Sequence, residues 1–162
     1  VTEVTMDENS YMEMEMVQIK GVDSTQRMTK ADLAAGAKLI IRERLLTHGD
    51  QHAESGFVVN LNGEDSSANV ISRSVAKNHS TQVFNAEING NAKCAGHSEC
   101  DAIIMDHAKI SAIPKIVAND IDAALIHEAA IGKIAGEQLI KLMTLGLTEQ
   151  EAEAQIVNGF LK

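Results

Sequence analysis

Residues able to hold a metal crowd one stretch of this sequence: Cys94, His97, Glu99, Cys100, Asp101, Asp106, His107, His127 and Glu128. Thiolate and imidazole suit iron, copper or zinc, whereas carboxylates alone suit calcium or magnesium. Taken singly, each has a bland reading as a solvated corner residue or a buried free thiol. Their concentration is what raises metal chemistry. Cys94-x5-Cys100 is not a zinc-ribbon pair, and no second pair exists to complete one. The chain has no G-x-x-x-x-G-K-[ST], no G-x-G-x-x-G and no G-x-S-x-G, so it is not an evident enzyme and nucleotide binding has no local support. His48, His52 and His79 read as surface residues, and the Met12, Met14, Met16 row reads as a sheet face rather than a soft-metal site.

The elements that must position these residues read as strand after strand from Tyr11 to about Ile131. Met12 to Met16 alternates strictly, one face apolar and the other acidic. Aliphatic runs follow at Lys38–Ile41, Phe57–Leu61, Ala68–Ser72, Gln82–Ala86, Ala102–Met105, Ile110–Val117 and Ala123–Ile126. Turn chemistry separates them at Gly49-Asp50, Asn62-Gly63, Asn89-Gly90 and Asn119-Asp120. Asn-Gly also suits antiparallel hairpins, so the turns alone leave the topology open. The apolar centres near Leu39, Val58, Val83, Ile103 and Leu125 recur every 19 to 25 residues. Short strands with polar corners at such a period are what a β-solenoid needs, with a β-sandwich as the rival. One coil would then bring His107 and His127 close together.

After Ile131 the period becomes helical. Gly136 to Leu145 places Leu139, Ile140, Leu142 and Met143 at helical spacing, with Gly146 at the C′ position. Thr148 and Glu151 form a capping box that opens a second helix, carrying Ala152, Ile156 and Val157 on one face and ended by Gly159. The acidic run Glu149 to Glu153 suits the dipole at that helix start.

Composition narrows the function classes. The 162 residues are 44% apolar, enough for a core, but only 2% aromatic, which argues against base-stacking platforms. Lys and Arg number 14 against 23 Asp and Glu, a net charge of -9, so a nucleic-acid partner is disfavoured. No run approaches the ~18 apolar residues of a membrane span, and the N-terminus lacks a signal-peptide pattern. Two cysteines are too few for a disulfide framework, which points to a reducing, cytoplasmic setting. The chain opens on Val1 rather than Met, as a fragment or a processed chain would.

Gly96-His97-Ser98-Glu99-Cys100-Asp101-Ala102-Ile103-Ile104-Met105-Asp106 resembles the SufB/SufD family of the SUF iron–sulfur cluster assembly system. So does Leu125-Ile126-His127-Glu128-Ala129-Ala130-Ile131-Gly132-Lys133-Ile134, followed by Gly136-Glu137-Gln138-Leu139. Ser67–Val70 and Ile156–Phe160 fit as well, and the matches run in order from about Gly21 to the end. The resemblance is closest to the short SufB/SufD-like proteins of archaea and anaerobic bacteria.

The resemblance implies a right-handed parallel β-helix, residues 1–134, followed by a C-terminal helical segment, residues 135–162. It implies a non-catalytic partner of the SufC ATPase, whose nucleotide the partner would bind. In the family two such subunits pair by their β-helix edges, so dimerisation with itself or with a SufB/SufD-like subunit is expected. His127 and Glu128 match the family's His-Glu-Ala motif, implicated in cluster assembly at the subunit interface, and Cys100 matches the cysteine of its Cys-Asp pair. The expected ligands of a transient iron–sulfur cluster are therefore Cys100, His127 and Glu128, with Cys94, His97 and His107 as weaker candidates. One departure is plain: the SufB branch has a key cysteine six residues before the proline corresponding to Pro114, where this chain has Ala108. Family members also usually extend before Val1 and beyond Lys162. A purely structural interaction module is the competing expectation, favoured by Ala108. A carbohydrate-active β-helix enzyme is disfavoured by the dearth of aromatic residues.

Overall fold

Ten strands of the computed structural model, which describes residues 1–19 and 21–162, form two sheets. They are β1 (Thr2–Met6), β2 (Tyr11–Gln18), β3 (Ser24–Leu33), β4 (Lys38–Thr47), β5 (His52–Leu61), β6 (Ser67–Ala76), β7 (Thr81–Gly90), β8 (Ala95–Ile104), β9 (Lys109–Ala118) and β10 (Ala124–Gly132). The odd strands make one sheet in the order β1-β3-β5-β7-β9, the even strands the other in the order β10-β8-β6-β4-β2. Every pairing is parallel, which excludes both Asn-Gly hairpins and the antiparallel sandwich. The chain is a mainly β, parallel solenoid whose coil contains one strand from each sheet.

The coil is longer than the apolar spacing predicts. Thr2 pairs with Thr29, Ser24 with His52 and Lys38 with Ser67, so a coil takes 27 to 29 residues. The expected period of 19 to 25 arose because successive apolar centres lie in different sheets. Leu39 and Ile103 belong to the even sheet, Val58 and Val83 to the odd one. Two strands escaped sequence reading altogether, β1 and β3. Asn89-Gly90 is not a turn but the end of β7. Asn62 and Asn119 do mark corners, and there they stack. Asn119 Nδ2 donates to Asn91 Oδ1 at 2.7 Å, and Asn91 Nδ2 donates to Asn62 Oδ1 at 2.7 Å. Such amide ladders lock adjacent coils in register.

Corners repeat a backbone requirement as well. Asn9, Gly36 and Asp65 occupy one corner with φ of 60, 67 and 57°, and Gly49, Asn78 and Asp106 the other with 61, 59 and 56°. Each coil turns through the left-handed region, which Gly, Asn and Asp tolerate best. The Gly49-Asp50 turn read from sequence is one of these.

The core lies between the sheets, built from inward residues such as Leu33, Leu39, Ile41, Val59, Leu61, Val70 and Ile88. Phe57 and Phe84 meet at 5.7 Å between ring centroids, so two of the few aromatic rings are spent on packing. Met14 and Met16 pack partly buried against this core, as a sheet-face role requires. The last coil, β9 and β10, has no coil beyond it. Ile113, Ile116, Ile126 and Ile131 are exposed there.

Two helices follow, α1 (Gly136–Thr144) and α2 (Glu149–Phe160). Gly146 has φ of 96° as a C′ residue should, and the Thr148–Glu151 capping box forms in full. Gly159 does not end α2, which runs on to Phe160 with Leu161 as its cap. Ala152 and Val157 are the buried residues of α2, and Ile156 is half-buried. The chain end, Lys162, comes to Arg42, Arg44 and Arg73 on the outer face of the even sheet. Among the described residues, no helix is long and apolar enough to cross a membrane.

Candidate functional site

Strand alternation divides the expected ligands between two environments. In β8, Gly96, Ser98, Cys100 and Ala102 are buried, while His97, Glu99 and Asp101 alternate with them on the outer face. Strand β10 lies alongside with His127 beside Ser98, Glu128 beside Glu99 and Ala129 beside Cys100. His127 therefore shares the inner face with Cys100, and its neighbour Glu128 points the other way. The structure does not bring Cys100, His127 and Glu128 to one point within a single chain.

The inner face is more polar than a solenoid core requires. Glu43, 2% exposed, sits in register with Ser72, which is in register with Cys100. Its carboxylate accepts from Ser72 Oγ at 2.8 Å, from Ser55 Oγ at 2.5 Å and from Arg27 Nη2 at 2.6 Å. A buried carboxylate persists only when so satisfied. The accounting fails at Arg27 Nε, buried without a partner beside this carboxylate, and again nearer the open coil. Ser98 Oγ and His127 Nδ1 are buried and have no hydrogen-bond partner among the described residues. These atoms lie on paired residues of adjacent strands, one inward position along from Cys100. Unmade hydrogen bonds of this kind cost about 1–3 kcal/mol each, so the end coil presents polar groups still wanting a partner.

The Cys100 thiol is pushed up to about 11, by burial first and then by the negative charges of Glu43 and Asp101. It is protonated near neutral pH, and a metal would have to displace that proton. Cys94 lies apart, buried in the corner before β8, where a Cβ added to Gly90 would stand 3.1 Å from its sulfur. Burial raises its thiol too. Both cysteines are free.

On the outer face, His97 Nδ1 lies 3.1 Å from Asn69 Oδ1 and His97 Nε2 lies 3.3 Å from Glu128 Oε2. The Glu99 carboxyl is raised above its ordinary value, by burial first and then by the hydrogen bond and charge of neighbouring Asp101. One ligand atom from each of His97, Glu99 and Glu128 can be chosen so that all lie within 4.8 Å of one another.

The expected closeness of His107 and His127 does not occur, because the coil is not 20 residues long. His107 instead stacks on His79 of the previous coil, with ring centroids 5.4 Å apart. The next residue, Ala108, is 8% exposed at the corner that opens β9. Glu43, Arg27, Ser98 and Asn69 have no functional role in the sequence reading. Parity alone could have flagged Glu43, which alternates with Leu39, Ile41 and Leu45 on the buried side of β4.

A family model described as "SUF system FeS cluster assembly, SufBD core domain" matches residues 1–160. An iron-sulfur cluster assembly SufBD family protein of Methanothermobacter thermautotrophicus is 35% identical over 127 residues, covering 77% of this chain and 31% of that protein. One from Methanocaldococcus jannaschii is 40% identical over 105 residues, 64% of this chain and 33% of its own length. One from Archaeoglobus fulgidus is 31% identical over 163 residues, 99% of this chain and 44% of that protein. The chain thus spans less than half the length of these relatives. With the parallel solenoid, the two terminal helices and the core match over nearly every residue, the chain belongs to the SufBD family of the SUF iron–sulfur cluster assembly system.

Proposed function

We propose that this chain is a cytoplasmic subunit of a SUF-type assembly complex, a scaffold or accessory partner of a SufC-type ATPase that supports building and handing on nascent clusters. The observation that carries this reading is the match of the SufBD core to residues 1–160. Its role is non-catalytic. Nucleotide hydrolysis falls to the partner, in keeping with a sequence that has no P-loop. The net charge of -9 leaves nucleic acid outside the partner set.

Dimerisation through the last coil, with a second copy or a SufB/SufD-like subunit, is part of the proposal. Edge strands β9 and β10 offer unpaired backbone groups, and Ile113, Ile116, Ile126 and Ile131 are exposed beside them. The iron–sulfur cluster is cargo at this edge. Cys100 and His127 reach it from the inside and Glu128 from the outside, so the ligand set is completed across the pair of subunits. Mixed thiolate, imidazole and carboxylate ligation holds a cluster less firmly than four thiolates, which favours release.

A second reading has its own observation. A thiol held near 11 is a poor ligand at neutral pH, and Ala108 stands where the SufB branch is expected to have its cysteine. Under this reading the chain is a structural module and another subunit carries the cluster. The test is anaerobic mixing with a SufC-type ATPase, then size exclusion with iron and sulfide assayed in each peak. Co-elution with iron, lost in Cys100→Ala or His127→Ala, supports the scaffold. Co-elution without iron favours the structural module, and no co-elution rejects the partnership for this chain.

A further inference from the structure

We propose that His97, Glu99 and Glu128, on the outer face of β8 and β10, form a binding site for a single first-row divalent transition-metal ion, which shares Glu128 with the proposed cargo edge but does not use the inward-facing Cys100 and His127. The proposal deepens the assembly reading, and it rests on that reading only for the choice of ferrous iron as the physiological metal. The site itself stands on geometry.

The argument begins at Asn69. Its Oδ1 is 3.1 Å from His97 Nδ1, and a carbonyl oxygen can only accept, so Nδ1 carries the hydrogen. With no proton on Nε2, the ring presents a lone pair there that faces Glu128 Oε2 at 3.3 Å. Two acceptors aimed at each other need a cation between them, either a proton or a metal. The spacing suits a metal: two bonds of about 2.1 Å at roughly tetrahedral angles separate N and O ligands by about 3.3–3.4 Å. An imidazole whose other nitrogen is tied to an amide or carboxyl oxygen is the usual arrangement of a metal-bound histidine.

Glu99 supplies a third ligand. It pairs with Glu128 in the β8–β10 register, and an oxygen of each lies within 4.8 Å of the other and of a His97 ring nitrogen. All three residues stand on β8 and β10, two paired strands that fix the backbone. Asp101, two residues along and beside Ala130, adds negative charge, and Arg73 in register with Asp101 offsets part of it. One nitrogen with two carboxylate oxygens selects iron, manganese, cobalt or zinc over calcium, which takes oxygen alone. Glu128 is well exposed, at 67% of its side chain, so the metal has an open approach.

The decisive experiment titrates chelator-treated chain with Co2+, followed by calorimetry and the visible spectrum of the bound ion. A single equivalent should bind. His97→Ala and Glu99→Gln should abolish or greatly weaken it, and Asn69→Ala should weaken it about 10–100-fold by releasing the ring. His48→Ala, at an exposed histidine in the corner between β4 and β5, should bind as the parent does. If the parent fails to bind, or if His97→Ala binds equally well, the site is overturned and His97 merely pairs with Glu128 as an imidazolium. Co-elution of the same variants with a SufC-type ATPase, scored separately, keeps the assembly reading distinct. Co2+ binding without co-elution would retain the metal site and sink the assembly reading, and the converse would do the reverse.

Discussion

Removing the Cys100 sulfur should change how stability responds to alkali. The thiol is pushed up to about 11 in the folded chain, whereas an unfolded cysteine titrates near 8.5. The folded state therefore holds the proton more tightly. This contribution is fully present below about pH 8.5 and is lost as pH rises towards 11. Integrating between those values, about 2 kcal/mol of stability should vanish by pH 10 and about 3 kcal/mol once both states have ionised. Cys100 is 1% exposed, so solvent does little to screen the effect. Urea unfolding of the parent and of Cys100→Ala, near pH 7 and near pH 10, is the assay. Every other ionisable group is common to both proteins and cancels in the comparison. The alanine variant loses packing at every pH, but the gap between the two proteins should shrink by about 2 kcal/mol on going to pH 10. A gap that stays constant would refute the buried, charge-crowded thiol. It would also remove the reason for expecting metal binding at Cys100 to strengthen with pH.

The polar knot on the inner face makes a second prediction. Glu43→Ala leaves Arg27, Ser55 and Ser72 without their acceptor. Because the Arg27 side chain is 28% exposed and can turn to water, the loss should sit at the low end for broken buried pairs, about 3 kcal/mol in a denaturant titration. A cost under about 1 kcal/mol would mean the knot is not closed in solution. Gly96→Val should destabilise by about 1–3 kcal/mol, since an added Cβ lies 2.8 Å from both Ile88 and Leu125. An unchanged unfolding midpoint would show that the core between Gly96, Ile88 and Leu125 is looser than described. Ala108→Cys should raise the iron and sulfide retained after anaerobic reconstitution, because it restores the thiol expected of the SufB branch. No gain would leave ligation to Cys100 or to a partner subunit.

Much of this fold could be read because its strands obey parity. Met12 to Met16 alternates, and the aliphatic runs in β4 to β7 announce themselves by β-branched and aliphatic residues. Where inward positions are polar, the signal fades. Strand β3 places Arg27 and Thr29 inside, so Ser24–Leu33 does not look like a strand, and β1 is short. The apolar spacing underestimates the coil for a geometric reason: apolar centres mark strands, and a coil has two strands in two sheets. His79 and His107 sit at equivalent corners only once the 28-residue offset between β7 and β9 is known. The outer site was legible as residue types but not as a constellation, because Asn69 enters it from another coil, 28 residues away from His97.

That division of faces bears on how the His127-Glu128 dipeptide can act. Consecutive residues of a strand point oppositely, so the pair cannot be a chelate. His127 turns inward, where its Nδ1 and Ser98 Oγ lack partners. Glu128 turns outward to His97 and Glu99. A dipeptide on an edge strand thereby meets two chemistries at once, the buried inner face that carries Cys100 and a carboxylate-rich outer face. If the outer face takes up a divalent ion and the inner face reaches a thiol, then the rim of β10 is where the two can meet. Assembly across a subunit interface at that rim would bring the inner and outer groups of two chains together, which a single strand forbids. Under the proposed assembly role, the separation of Cys100 and Glu128 within one chain is the reason a paired edge would be needed to hold cargo with both.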